Sequence, residues 1–240
     1  MANKKNLVVL SGSGISAESG ISTFRGGNGL WDNVPVEEIC TPEGWRRDPG
    51  KVLRFYNERR AQLKHAEPNE AHRALAGLER DFNVCVITQN VDNLHERAGS
   101  SRVLHLHGEL TKIRPEDCYT DADGFSLKYV QDIGYRPTAL GDTGGPRGRQ
   151  MRPHIVWFGE AVPNLEKAAQ LVSAADILLI VGTSLQVYPA ASLYHYAPEG
   201  CSIWLIDPDE RLGRQLEGAG IHVITDVATA GMRTFLKEIV

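Results

Sequence analysis

Three short runs of apolar residues constrain the fold of this chain more than any other feature of its sequence. Residues 7–10, 84–87 and 175–181 are apolar at nearly every position rather than at every second one. Strands of this kind are buried on both faces, as in parallel sheets that helices cover from both sides. Apolar residues at helical spacing occupy intervening segments such as 49–64 and 68–80. The pattern predicts an α/β fold, a parallel sheet with helices on both faces.

A glycine-rich turn, SGSGISAESG at residues 11–20, directly follows the first apolar run. Gly12 and Gly14 permit unusual backbone angles and let N–H groups approach a phosphate, which a helix N-terminus favours. The turn therefore predicts a Rossmann-like dinucleotide site, although its spacing departs from G-x-G-x-x-G and a tight strand-to-helix turn uses the same residues. Phe24 and Arg25 lead into a glycine-rich loop, which we expect to fold over the cofactor with Arg25 near its phosphates.

The second apolar run is followed by TQNVDNLHERAG at residues 88–99, the most informative motif of the chain. Gln89, Asn90 and Asp92 lie just past the end of a buried strand, where open α/β sheets bind their ligands. Two amides and a carboxylate can hold the hydroxyls and carboxamide of a nucleotide, although Asn or Asp here would equally cap the next helix. His107 brings a titratable base to the same edge, and a buried structural histidine is the alternative interpretation.

The C-terminal strand ends complete the predicted nucleotide site. Gly182, Thr183 and Ser184 follow the third apolar run and offer N–H groups and hydroxyls to phosphates, although Gly-Thr-Ser is also an ordinary turn. Asp207 ends a further predicted strand at residues 201–206. Its carboxylate can accept from both ribose hydroxyls and would repel a 2′-phosphate, which favours NAD over NADP.

Taken together, the motifs resemble those of the sirtuins, the NAD-dependent protein lysine deacylases, over nearly the whole chain. The matching stretches are GSGIS, FR, TQNVDNLHERAG, HGEL, WFGE and VGTSLQVYPA. TPEGWRRDP, FYNERRAQL and LHERAG are most similar to the class III branch, which accepts succinyl and malonyl lysine. The resemblance implies NAD as cofactor and acylated-lysine proteins or peptides as substrates. The predicted cofactor residues are Gly12, Ser13, Gly14, Ser16, Phe24, Arg25, Gln89, Asn90, Asp92, Gly182, Thr183, Ser184, Asp207 and Ala228. At Asp207 the chain departs from the family, which more often has Asn there, and the resemblance implies that the Ala228 backbone meets the adenine.

The resemblance also implies a catalytic set of His107, Asn90 and Asp92. His107 would act as general base on a ribose hydroxyl, so that nicotinamide and 2′-O-acyl-ADP-ribose are released. Asn90 would orient the ribose and Asp92 would hold the carboxamide, whereas His105 is assigned to structure. Two other functions stay open. One is a mono-ADP-ribosyltransferase or NAD glycohydrolase, and the other is a non-catalytic NAD or ADP-ribose binding module.

Tyr56 and Arg59 predict the acyl preference. They are three apart on a predicted helix and share one face, where a phenol and a guanidinium can hold a terminal carboxylate. The class III branch uses such a pair, and a solvated arginine beside a core tyrosine is the alternative. An extended peptide is expected to add a strand between residues 156–160 and 185–187. The expected substrate contacts are Tyr56, Arg59, Val156, Phe158, Gly159, Glu160 and Leu185.

The cysteines predict a small domain without zinc. Cys40, Cys85, Cys118 and Cys201 form no C-x-x-C pair, whereas sirtuins usually carry two such pairs after the HG motif. An acidic stretch around residues 116–123 is the alternative metal site. We expect a Rossmann-like NAD-binding part at residues 1–109 and 154–240 and a small inserted domain at 110–153, with helical segment 35–64 beside it. The insertion is expected to contain a flexible loop at 141–149 and to pack through Ile113, Tyr119, Phe125, Leu127, Tyr129 and Ile133.

Charge and hydropathy exclude some partners. The 240 residues carry a formal net charge of −4, with lysine and arginine dispersed along the chain. Nucleic acid or an anionic membrane would require a clustered basic patch, so neither partner is expected. The apolar runs are far shorter than a membrane span or a signal peptide core. These features predict a cytoplasmic monomer.

Overall fold

Parallel strands with helices on both sides form the larger part of the molecule. The computed structural model describes residues 4–23, 34–117, 127–216 and 220–239. Its strands are β1 Asn6–Ser11, β2 Asn83–Thr88, β3 Val103–His105, β4 Gly108–Pro115, β5 Gln131–Asp132, β6 Thr143–Gly144, β7 Arg149–Ile155, β8 Ile177–Val181, β9 Ser202–Ile206 and β10 His222–Ile224. Six of them form one parallel sheet in the order β10-β9-β8-β1-β2-β3. The predicted α/β class is confirmed.

The described helices lie mainly between the strands. They are α1 Gly14–Ala17, α2 Val36–Ile39, α3 Pro42–Arg47, α4 Pro49–His65, α5 Glu70–Gly77, α6 Leu94–Arg97, α7 Leu165–Val172, α8 Glu210–Leu216 and α9 Ala228–Ile239, with short 3₁₀ segments at Leu78–Arg80, Leu127–Tyr129 and Ala190–Tyr196. In the described part of the chain, no helix is both long and apolar enough to cross a membrane.

Both faces of the parallel sheet are covered. One face buries Leu7 and Val9 of β1 against α5 and α9, and the other buries Val8 and Leu10 against α7. Each strand therefore needs apolar residues in both alternating positions, which explains the continuous apolar runs. β1 pairs with β2 on one side and with β8 on the other. The chain order reverses at β1, and such a switch point is where open α/β sheets bind ligands.

A second, antiparallel sheet has the order β5-β4-β7-β6. Its small core contains Ile113, Ile133 and Met151. Tyr119, Phe125 and the side chain of Leu127, which were expected in this core, lie outside the described residues. The expectation of a flexible loop at residues 141–149 is wrong, because Thr143 pairs with Gln150 and Gly144 with Arg149 in a hairpin.

Helix α4 connects the two sheets. Asp48 begins it by accepting a hydrogen bond from the Lys51 N–H at 2.8 Å, and Pro49 occupies its first turn. The buried Arg60 guanidinium donates to the Leu110 carbonyl at 2.8 Å, and the Asn57 amide donates to the Thr138 carbonyl at 2.8 Å. These contacts hold the middle of the helix against the small sheet, and Tyr56 and Arg59 of the same helix line the cavity at the ends of the parallel strands.

Candidate active site

A cavity of about 570 Å³ opens where β1, β2, β8 and β9 end, a volume typical of small-molecule sites. Helix α4 and the segment after β7 complete its wall. Phe24 and Arg25 lie outside the described residues, so the prediction that they cover the cofactor stays a prediction. Of the other predicted site residues, all line this cavity except Leu185 and Ala228.

Leu185 and Ala228 point elsewhere. The partly buried side chain of Leu185 packs against the sheet face covered by α7. The prediction that this segment pairs with the peptide through its main chain stays a prediction. Ala228 begins α9, and its side chain is buried in the core on the opposite face. The prediction that its backbone meets the adenine stays a prediction.

The glycine-rich turn after β1 lies directly against the end of β8 and the turn that follows it. The Gly12 N–H donates to the Val181 carbonyl at 3.1 Å and the Gly14 N–H donates to the Gly182 carbonyl at 2.8 Å. A Cβ atom on Gly14 would lie 2.7 Å from Gly182 Cα, so the two turns meet only because both residues lack side chains. The N–H groups of Gly12 and Gly14 are therefore bonded to the end of β8 and the turn after it. The prediction that this glycine-rich turn approaches a phosphate stays a prediction.

Asn90 and Asp92 converge on Ser16 in the wall of the cavity. The Asn90 amide donates to Ser16 Oγ at 3.1 Å, and Ser16 Oγ donates to Asp92 Oδ2 at 3.0 Å. Asp92 Oδ1 accepts from the Leu94 N–H at 3.1 Å, so this carboxylate also satisfies the first N–H of α6 from one residue before the N-cap Asn93. Burial raises the pKa of Asp92. The buried Asn90 Oδ1 has no hydrogen-bond partner among the residues described, which leaves one acceptor for a ligand hydroxyl.

His107 is held in one tautomer. Its Nδ1 lies 3.1 Å from the Gln89 carbonyl oxygen, which can only accept, so Nδ1 carries the proton. In the neutral ring Nε2 then has an unshared electron pair and can accept a proton. Burial lowers the pKa of His107, only partly offset by the Gln89 hydrogen bond, so the ring is neutral at neutral pH. This is the protonation state that a general base requires.

Gln89, Thr183 and Asp207 line the nucleotide side of the cavity. The Gln89 side chain donates to Thr183 Oγ1 at 3.0 Å, which joins the turns after β2 and β8. Ser184, the next residue, is exposed. Asp207 Oδ1 accepts from the Asp209 N–H at 2.9 Å, and burial raises the pKa of the Asp207 carboxyl.

Tyr56 and Arg59 lie on α4 and line the other end of the cavity. The buried Tyr56 hydroxyl accepts from Trp157 Nε1 at 3.0 Å and donates to Cys40 Sγ at 3.5 Å, and burial raises its pKa well above the usual 10. It therefore stays a hydrogen-bond donor. The Arg59 guanidinium lies 5.1 Å from the centre of the Phe55 ring, and its side chain is only 22% exposed. Its buried Nε has no hydrogen-bond partner within the described ranges.

These contacts argue against a solvated arginine at position 59. They also add Cys40 and Trp157, whose contacts with Tyr56 no sequence signal predicted. A sulfur atom is a weak acceptor, so the Tyr56 hydroxyl hydrogen is directed at a poor partner next to an arginine. Both groups suit a carboxylate that enters from the cavity.

Glu160 has a structural role. Its carboxylate accepts from Arg152 Nη1 at 2.7 Å and from Arg114 Nη2 at 3.2 Å, and it also accepts from the Trp157 N–H at 2.9 Å. Its side chain is 6% exposed and neutralises two buried arginines, so a peptide contact of Glu160 would have to be made by its main chain and stays a prediction. Val156, Phe158 and Gly159 remain on the cavity wall beside it.

Two carboxylates of the acidic stretch considered as a metal site have protein partners. Glu116 accepts from Trp45 Nε1 at 2.9 Å, and Asp117 lies 2.9 Å from Arg147 and 3.6 Å from Arg149. Cys118, Asp121 and Asp123 lie outside the described residues. The absence of a zinc site stays a prediction.

Comparisons with known proteins agree on one family. The profile described as "Sir2 family" matches residues 12–189. The "NAD-dependent protein deacylase" of Bacteroides thetaiotaomicron is 53% identical over 240 residues, covering 98% of this chain and 97% of that protein. The protein of the same name from Helicobacter pylori strain 26695 is 48% identical over 236 residues, covering 98% of each.

Solved structures give the same result. A mutant Sir2 homologue in complex with ADP-ribose superposes with a TM-score of 0.81 at 39% identity, covering 99% of this chain and 92% of that chain. A Sir2 homologue in complex with NAD gives a TM-score of 0.78 at 40% identity, covering 99% and 90%. A mutant Sir2 with a deacetylated peptide and an acetyl ADP-ribose gives 0.79 at 28% identity, covering 99% and 94%.

Proposed function

The chain belongs to the Sir2 family and is an NAD-dependent protein deacylase, and we propose that it prefers lysine acyl groups that end in a carboxylate, with His107 as general base. Succinyl and malonyl lysine are the substrates of this kind. The observation that carries the proposal is one cavity lined by His107, Asn90, Tyr56 and Arg59. The proposed products are nicotinamide and 2′-O-acyl-ADP-ribose.

The described residues fit NAD. A buried acceptor without a partner costs about 1–3 kcal/mol, and a ribose hydroxyl donating to Asn90 Oδ1 would remove that cost. Asp207 at the end of β9 can accept from the other ribose and would repel a 2′-phosphate. When bound, NAD supplies an electrophilic ribose carbon that releases nicotinamide, and a ribose hydroxyl that takes the acyl group.

His107 supplies the base. Its neutral Nε2 removes a proton from the ribose hydroxyl, while Nδ1 keeps its hydrogen bond to the Gln89 carbonyl. The carbonyl stabilises the imidazolium that results, because Nδ1–H becomes a stronger donor when the ring is charged. Asn90 and Ser16 hold the ribose in place, and Asp92 is poised beside them for the nicotinamide carboxamide.

Tyr56 and Arg59 supply the acyl preference. The guanidinium can form two parallel hydrogen bonds to a carboxylate, and the Tyr56 hydroxyl can exchange its weak sulfur acceptor for a carboxylate oxygen. Acetyl lysine offers neither group a partner. A site with buried polar groups discriminates against a substrate that leaves them unpaired.

A nicotinamide-release assay tests the proposal, with no peptide and with acetyl, malonyl and succinyl forms of one peptide. Release that requires peptide and is fastest with the acidic acyl groups supports it. Release without peptide would indicate NAD glycohydrolase activity, and no release under any condition would indicate a binding module. Equal rates for all three peptides would retain the deacylase and refute the acyl preference.

A further inference from the structure

His105, which the catalytic set does not include, lies between two hydrogen-bond acceptors. Its Nδ1 is 2.9 Å from the Asn90 carbonyl oxygen and its Nε2 is 2.8 Å from Glu96 Oε1. A peptide carbonyl can only accept, and so can an ionised carboxylate. Both ring nitrogens must therefore carry a hydrogen, which makes the ring an imidazolium. The ring is almost fully buried and the Glu96 side chain is 39% exposed, so the ion pair joins a buried cation to a partly exposed carboxylate.

The same ring acts on the loop that carries the catalytic residues. His105 binds the carbonyl of Asn90, and His107 binds the carbonyl of Gln89, the preceding residue. Two histidines thus hold two successive peptide groups of one loop. The Asn90 N–H is also bonded, to Thr88 Oγ1 at 3.0 Å. The orientation of Asn90 and the tautomer of His107 both depend on how these peptide groups are held.

The charges around His105 favour its protonated form. Burial alone lowers the pKa of His105, but the hydrogen bond and charge of Glu96, the charge of Glu109 and the Asn90 carbonyl together raise it above the usual 6.5. The pKa of Glu96 is lowered because its hydrogen bond and ion pair with His105 outweigh burial, which favours the neutral acid. The titratable groups that face the His105–Glu96 pair are Asp92 in the loop, His72 on α5, His95 on α6, Glu109 and Lys112 on β4, and His154 on β7.

We propose that His105 is a positioning residue, held as an imidazolium by Glu96, that fixes the Asn90 peptide group and through it the catalytic loop at residues 89–92. The inference rests on the proposed roles of Asn90 and His107. Protonated His105 satisfies both acceptors, whereas the neutral ring can donate to only one of them. Loss of the second proton therefore releases either the Asn90 carbonyl or the Glu96 carboxylate.

The sign of the pH dependence follows. Because the folded pKa is raised, the contribution of His105 is complete below its usual value and is lost as the pH rises through the folded value. We expect kcat to fall on the alkaline side. The KM for peptide should change little, since His105 touches neither the acyl pocket nor the peptide segment. A residue needed only for folding would not lower kcat at high pH while leaving the KM for peptide unchanged.

Isotope-edited NMR of the histidine rings in the whole wild-type protein tests the protonation state directly. Both ring nitrogens of His105 are expected to carry hydrogen at neutral pH, while His107 carries hydrogen on Nδ1 alone. A neutral His105 ring at neutral pH would overturn the proposal, whatever the activity.

Substitution of Glu96 tests the positioning role. In Glu96→Gln the amide can donate to Nε2 of a neutral ring, and Nδ1 can still donate to the Asn90 carbonyl. We therefore expect its kcat to lose the alkaline decline. Glu96→Ala offers no partner to Nε2, so nothing favours the tautomer that donates from Nδ1 to the Asn90 carbonyl, and its kcat should lie below that of Glu96→Gln. Glu109→Gln is the matched control, because it removes a nearby charge but no hydrogen bond to His105.

Each result has one meaning. An alkaline decline in Glu96→Gln identical to that of the wild type overturns the proposal, as does a Glu109→Gln variant that reproduces the effect of Glu96→Ala. If Asn90→Ala is as active as the wild type, the proposed role of Asn90 fails. The NMR result would still report whether the ion pair exists, so the two failures are distinguishable.

Discussion

Replacing Arg59 by Met is the sharpest test of the acyl preference. Met keeps most of the length and the apolar stem of the side chain, so the packing on Phe55 is preserved while the charge is removed. Hydrogen bonds to a charged group contribute about 1.5–3 kcal/mol. The Arg59 side chain is only 22% exposed, so solvent screens its hydrogen bonds little. Its guanidinium is 3.8 Å from Glu58, but that side chain is 68% exposed and forms only a weak ion pair that competes little for the guanidinium. The expected loss in kcat/KM for succinyl or malonyl lysine is roughly ten- to a hundredfold.

The assay compares kcat/KM for acetyl, malonyl and succinyl forms of one peptide. Arg59→Met should remove the advantage of the acidic acyl groups and leave acetyl lysine within a few fold of the wild type. Arg54→Met is the matched control, because Arg54 lies on the same helix but is exposed and does not line the cavity. Its profile should equal that of the wild type.

Two results would refute this reasoning. The first is a wild type that prefers acetyl lysine. The second is an Arg59→Met variant in which kcat/KM falls equally for all three peptides. In either case Arg59 would act on the packing of α4 rather than on the acyl group. The thermal midpoints of the variants, measured alongside, show whether a uniform loss reflects a less stable protein.

Four further predictions concern the base, the pH dependence, the backbone and the metal. His107→Ala should lower kcat by about 10²–10⁴ and leave NAD affinity within a few fold, and near-normal turnover would exclude His107 as the base. Because burial lowers the pKa of His107, the acid-side decline of wild-type kcat/KM should have its midpoint below the usual histidine value of about 6.5, and a midpoint above it would contradict this. Gly182→Ala should lower the free energy of unfolding by roughly 2–5 kcal/mol, the left-handed backbone strain plus a clash, because its Cβ would lie 2.3 Å from the Ile15 nitrogen. Gly148→Ala, at φ +59 with nothing within 4 Å, should cost only about 1–2 kcal/mol in the same denaturant titration, and equal losses would contradict the clash. Elemental analysis should find clearly less than one zinc per chain, and a chelator that lowers the thermal midpoint would reveal a site.

Local patterns predicted the elements and the place of the site. Residues 84–87 predicted a strand that extends over Asn83–Thr88, and residues 49–64 predicted a helix that extends over Pro49–His65. Side-chain periodicity is a local property, so these predictions need no knowledge of the chain path. Parallel strands bring their carboxyl ends to one edge, and this alone was sufficient to place Asn90 and His107 at one cavity.

Contacts between distant residues could not be predicted in this way. Tyr56 meets Cys40 and Trp157, which are 16 and 101 residues away along the chain, and only the packing of α4 in the folded protein brings these three side chains together. The sequence placed Glu160 in the peptide segment, but the two buried arginines beside it give it a structural role.

His105 and His107 show where prediction from sequence ends and tertiary structure decides. His105 ends β3 and His107 follows it, and the sequence assigns His105 to structure from its place in the strand and His107 to catalysis by resemblance. Tertiary structure decides their protonation, because His107 meets a single carbonyl while His105 meets a carbonyl and the Glu96 carboxylate. A pattern of residue types encodes which elements form and where they end, whereas the charge of a buried group depends on partners that only the folded chain brings within hydrogen-bond distance.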